Sequence, residues 1–197
     1  MAMSETLIRI PDTQTSLMES LELVNDLPGV YWEEISATRF SLDQRKALGL
    51  GIIDQRRRLT SGLFIAPFDV VITETPQELV DGEATLVVAD TIISEDNFPR
   101  GLVRLFAGHV EQGISDGVNV GGLPLRIVGT LGHEGFHARQ WKSNRSALER
   151  DLQTAKLAEA IGGTRARVAA WGLTRSELDA MEFEKNWLEH WMDYPKR

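Results

Sequence analysis

Residues 132–137 read Gly-His-Glu-Gly-Phe-His, which sets His133 and His137 four apart with Glu134 directly after the first. On a helix that spacing puts both imidazoles on one face, one turn apart, where they can converge on a single metal ion. The glutamate that follows the first ligand can reach the open coordination position. There a metal makes a water more acidic, and a carboxylate can take its proton. The chain has four histidines and no cysteine, so thiolate sites are excluded and imidazole and carboxylate remain as the strong transition-metal ligands. The motif is flanked by Ile127, Val128, Leu131 and Phe136. Such a helix is expected to be buried, and polar groups buried in it are costly without partners.

A buried site of this kind needs a third ligand. The next carboxylates, Glu149 and Asp151, fall at an expected helix start, where favourable N-terminal charge accounts for them. The last expected helix, 175–192, offers Glu182 and Asn186 one turn apart. Glu182 is therefore the expected ligand and Asn186 the amide that orients a histidine from behind. Glu184 lies off that face and reads as a solvated or tuning group. Glu177 stands three residues after Thr174 and reads as the partner in a capping box. His109 reads as structural and His190 as a helix-end residue, while Trp141, Trp171, Trp187 and Trp191 sit at helical positions suited to packing.

His133-Glu134-Gly135-Phe136-His137 followed by Glu182-Phe183-Glu184-Lys185-Asn186-Trp187 resembles the gluzincin clan of zinc metallopeptidases. Gln140, three residues after the second histidine, is similar to a variant found in small, minigluzincin-like members. The resemblance covers residues 84–192. It implies a zincin-like fold with Zn2+ held by His133, His137 and Glu182, Asn186 behind them, and Glu134 as general base. It further implies a peptide or protein substrate, laid along an edge strand at 84–94. The function expected from it is that of a zinc-dependent endopeptidase. The alternative is a non-catalytic structural or binding protein of the same fold, a component of a larger particle of phage or secretion type.

The elements that must position these residues read as α+β. Helical spacing at Leu17, Leu21 and Val24 predicts a helix over 13–26, and a second runs from Ser41 through Ile53 into the arginines at 56–58. Residues 63–74 and 84–94 are rich in β-branched side chains and predict two strands of a small sheet, with turn formers at Pro76, Asp81 and Gly82 between them. Helices are predicted over 99–113, from Pro124 to Lys142, and at 146–161, 164–171 and 175–192. Residues 1–60 thus form an N-terminal helical region of unknown role, and 61–197 a zincin-like domain, in one compact unit. A length of 197 residues with 42% hydrophobic content suits a single core.

A net charge of −8 argues against nucleic acid as a partner, because that binding depends on clustered cations. The one basic cluster, Arg56 to Arg58, reads as the solvated end of a helix. With no basic leader and no apolar run of about eighteen residues, the expected setting is cytoplasmic, or within a particle, without a membrane partner.

Overall fold

The structure is a computed structural model that describes residues 5–9, 22–62, 67–74, 77–80, 83–92 and 101–193. It is α+β, with helices on one face of a small mixed sheet. The strands are β1 (Glu5–Arg9), β2 (Leu23–Leu27), β3 (Val30–Glu33), β4 (Phe68–Thr73), β5 (Gln77–Val80), β6 (Glu83–Ile92) and β7 (Gly101–Phe106), with a separate two-stranded hairpin of β8 (Asn119–Val120) and β9 (Leu123–Pro124). The helices are α1 (Glu34–Ala37), α2 (Leu42–Gly62), α3 (Ala107–Asp116), α4 (Leu125–Gly172) and α5 (Arg175–Asp193). The main sheet runs in the order β1-β6-β7-β4-β3-β2, and β5 forms a hairpin with the start of β6. Parallel pairs (β1 with β6, β4 with β7, β3 with β4) are mixed with antiparallel ones (β6 with β7, β2 with β3).

The alternation of strand side chains explains the layers. Val70 and Ile72 of β4, Val103 and Leu105 of β7, and Val30 and Trp32 of β3 join the main core with Ile52 and Leu59 of α2, Ile127 and Leu131 of α4, and Trp187 and Trp191 of α5. Val71 and Leu102 face the other way and meet Leu23 and Tyr31. Burying a side chain of this size contributes about 1.5–3 kcal/mol, so the core fixes α4 against the sheet more firmly than any single polar contact could.

Several expectations are corrected. Residues 23–27 form strand β2 and pair with β3, because Leu23 and Val24 gain a sheet partner that helical spacing does not reveal; residues 13–21 of the expected helix lie outside the described residues. Residues 101–106, expected to be helical, are strand β7, whose β-branched and leucine side chains are covered on both faces; only 107–116 is helix. The turn region before β6 contains strand β5. β3 hydrogen-bonds to β4, and α2 runs through residue 60, so the first sixty residues contribute strands to the same sheet. Arg56 is no solvated helix end: it donates to the carbonyls of Phe68 and Gly29 and to Asp69, tying α2 to β4 and to the turn before β3. Arg57 does stay in solvent.

The long α4 departs from helical geometry at Asn144 and at Gly162 and Gly163. Gly163 has φ 72, a left-handed conformation that disfavours any residue with a Cβ. The chain therefore folds back as a helical hairpin after the motif, close to the expected 146–161 and 164–171. Its own small core is Trp141, Leu148, Leu152, Ala155 and Trp171. No helix among the described residues is long and apolar enough to cross a membrane.

Candidate metal centre

The first stretch of α4 carries the motif across the apolar face of the sheet, and α5 crosses it closely. Two glycines allow that approach. A Cβ on Gly132 would lie 2.7 Å from Cδ1 of Trp187, and one on Gly129 would lie 2.8 Å from Oε1 of Glu184. The Glu184 carboxylate is the end of a flexible chain and can swing away, but the buried Trp187 ring cannot. Gly132→Ala is therefore expected to destabilise the protein by about 1–3 kcal/mol, the usual cost of overpacking. At about 2–4 °C per kcal/mol for a chain of this size, thermal unfolding should show it as a lower Tm; an unchanged Tm would refute the close approach.

His133, Glu134, His137 and Glu177 are all buried. Nε2 of His133 and Nε2 of His137 lie 3.1 Å apart, and Oε2 of Glu177 lies 3.4 Å from the first and 3.2 Å from the second. The outer nitrogens are held from behind. Nδ1 of His137 is 2.8 Å from Oε1 of Gln140, whose amide nitrogen donates to the Ser176 carbonyl at 2.8 Å. That second bond makes Oε1 the acceptor, so His137 carries its proton on Nδ1 and turns a lone pair inward. His133 is fixed the same way, with Nδ1 3.2 Å from Oε2 of Glu184. Two imidazole lone pairs and one carboxylate oxygen thus converge on a point with no donor of their own between them. A cation at that point, whether a proton or a metal ion, relieves the convergence.

The ionisation of the site follows from this. Burial works against charge on His133, yet the carboxylates of Glu177 and Glu184 outweigh it and raise its pKa to about 10. Burial likewise opposes the charge on Glu177, but the two histidines bring its pKa down to about 2. His137 is lowered by burial. Glu134 is raised to about 8, above all by burial. Its Oε2 accepts a bond from the Thr91 hydroxyl of β6 at 2.5 Å, while Oε1 is buried without a partner among the described residues. His133, His137 and Glu177 can hold a metal ion: their ligand atoms lie within 4.8 Å of one another. A two-histidine, one-glutamate set is a donor combination found in catalytic zinc sites.

The structure does not bring Glu182, the third ligand expected from sequence, to the two histidines. Glu182 and Asn186 are exposed, on the solvent side of α5, whereas Glu177 in its first turn points inward. The capping signature at Thr174 is real, since its hydroxyl accepts from the Glu177 amide at 3.3 Å, but the Glu177 carboxylate turns to the histidines instead of back to the cap. Glu184, read as solvated or tuning, is the residue that holds His133. Asp151 accepts from the Ser176 amide at 2.9 Å and so ties the hairpin to the start of α5. Thr91 and Glu177 were missed. Thr91 carries no sequence signal; Glu177 carried one, the capping box, that pointed to a different role. His190 is exposed and stacks on Trp187, and the other three tryptophans expected to pack, like Trp187, are buried.

His109 lies behind the centre, its Nε2 2.9 Å from the Thr130 hydroxyl. That hydroxyl donates to the Arg126 carbonyl, so neutral His109 is the donor to Thr130. Burial lowers its pKa to about 4. A depressed histidine contributes stability that is fully present above the unfolded value of about 6.5 and is lost as pH falls towards the folded one. Between those limits the loss is on the order of 3 kcal/mol, at about 1.4 kcal/mol per unit. Tm of the metal-free protein should thus fall more steeply from pH 7 to pH 5 than that of His109→Gln. The comparison separates His109 from His137, which shifts in the same sense, and equal slopes would refute the assignment.

No known family model matches the chain, and no curated protein or solved structure is detectably similar to it.

Proposed function

We propose that the chain is a zinc-dependent metallopeptidase, with zinc held by His133, His137 and Glu177. The observation that carries this reading is the convergence of three metal-binding atoms near Glu134, a buried carboxylate with one oxygen bonded to Thr91 and the other without a partner among the described residues. A divalent zinc ion held by these three residues would supply Lewis acidity, lowering the pKa of a water and polarising a carbonyl. Glu134 would take a proton from the attacking water on Oε1. The water oxygen bonds to the peptide carbonyl carbon, and Glu134 returns the proton to the amide nitrogen as the C–N bond breaks. Burial raises the Glu134 carboxyl in the metal-free protein, and a divalent cation beside it would lower it again, towards the ionised form that a general base needs. Thr91 keeps the carboxylate oriented, and Glu184 and Gln140 fix the tautomers of the histidines.

The burial of all four groups favours a second reading, in which the metal is a staple in a non-catalytic protein of similar fold. One experiment tests both. The purified chain is analysed for zinc and screened against unfolded and extended peptides, with and without phenanthroline. About one zinc per chain with chelator-sensitive, zinc-restored cleavage supports the peptidase. Full zinc without cleavage supports the staple, and no zinc sinks both.

A further inference from the structure

The strand that serves Glu134 is not at the edge of the sheet. The sequence resemblance implied an open edge at 84–94, but β1 pairs with β6 in parallel, with Thr6, Leu7, Ile8 and Arg9 in register with Ala89, Asp90, Thr91 and Ile92. On its other side β6 pairs with β7 over the same residues. Ile8 therefore stands opposite Thr91, whose hydroxyl bonds to Glu134. β1 also lies alongside α4. The N-terminal strand thus runs along the outer edge of β6 at the level of Thr91 and touches the motif helix, on the side where an extended chain would have to pair with β6 to be offered to the general base.

We propose that β1 is a resident, exchangeable strand: it fills the docking edge of β6, and an extended peptide substrate gains access by replacing it. The protein as folded is then a latent form, and its site accepts substrates in the extended conformation. This rests on the peptidase reading. Three features make β1 the exchangeable element. It is five residues long and ends the sheet, so β6 is its one strand partner among the described residues. Parallel pairing is slightly weaker per residue than antiparallel pairing. An incoming peptide would form the same kind of main-chain ladder that it breaks, as in β-strand addition, so the exchange is nearly balanced and small advantages decide it. The opposite edge, β2, is separated from β6 by β7, β4 and β3 and cannot serve.

The absence of cysteine allows a clean lock. Arg9→Cys with Ile92→Cys joins register partners, whose strands lie about 4.8 Å apart, within reach of a disulfide at a Cα separation of about 4.4–6.8 Å. The opposite perturbation is Leu7→Pro with Ile8→Pro, which removes a ladder donor whichever of the two amides faces β6. The full-length chains are loaded with zinc, and two quantities are followed: the rate of zinc extraction by phenanthroline and the hydrolysis of an unfolded protein. The oxidised lock is expected to release zinc at least tenfold more slowly than its reduced form and to cleave nothing until reduced. The proline pair is expected to release zinc at least tenfold faster than wild type and to cleave faster. Equal extraction rates in all forms overturn the proposal, as does equal cleavage by locked and reduced protein. Extraction that follows β1 without cleavage in any form leaves β1 as the gate and sinks the peptidase reading. A chain that takes up no zinc in any form sinks both.

Discussion

Glu177→Gln is expected to weaken zinc binding by a hundredfold or more, while Glu182→Gln leaves it unchanged. The amide keeps the shape of the side chain but not the negative charge that faces both imidazoles at 3.2 and 3.4 Å. Groups behind metal ligands are typically worth about 10- to 100-fold in affinity, and a ligand should exceed that range. Glu184→Ala belongs within it, since the residue holds Nδ1 of His133 and does not join the three converging atoms. Competition titration against a zinc chelator ranks the three variants. The order Glu177, then Glu184, then Glu182 is expected; a large loss with Glu182→Gln would reverse the assignment and imply that α5 turns differently. Circular dichroism of each variant guards against misfolding, most pertinent for Glu177→Gln because the residue is buried.

Glu134→Gln should abolish peptide cleavage and leave zinc content close to wild type. The carboxylate is not among the converging atoms, so the metal does not depend on it, whereas general-base catalysis contributes about a hundred- to ten-thousand-fold. Folding should tolerate the change or improve on it. Burial already disfavours the charged form, with the pKa raised to about 8, and an amide removes that ionisation while keeping an oxygen for the Thr91 hydroxyl. The two proteins are assayed side by side on unfolded substrates at matched zinc occupancy. Equal activity in both would trace cleavage to a contaminant or another site.

The sequence by itself determined the local parts of this centre. His133 and His137 on one face of a helix, Glu134 beside them and the apolar flanks that bury the helix all follow from spacing within a few residues, because helical periodicity is set by the backbone alone. The long C-terminal helices and the breaks between them were legible for the same reason, as was the α+β character, from the contrast between β-branched runs and helical spacing. What only the tertiary structure decided is whatever depends on partners distant in the chain. Residues 23–27 and 101–106 became strands because neighbours in the sheet pair with them, and a partner's hydrogen bonds outweigh a weak local preference. The rotation of α5 was set by the fit of Trp187 against Gly132 and of Trp191 in the main core, and that rotation turned Glu177 inward and Glu182 out. Spacing along α5 fixes which of its residues share a face, but not which face meets α4. The place of β1 on β6 is of the same kind, since strand neighbours some eighty residues apart leave no mark in the local pattern of either.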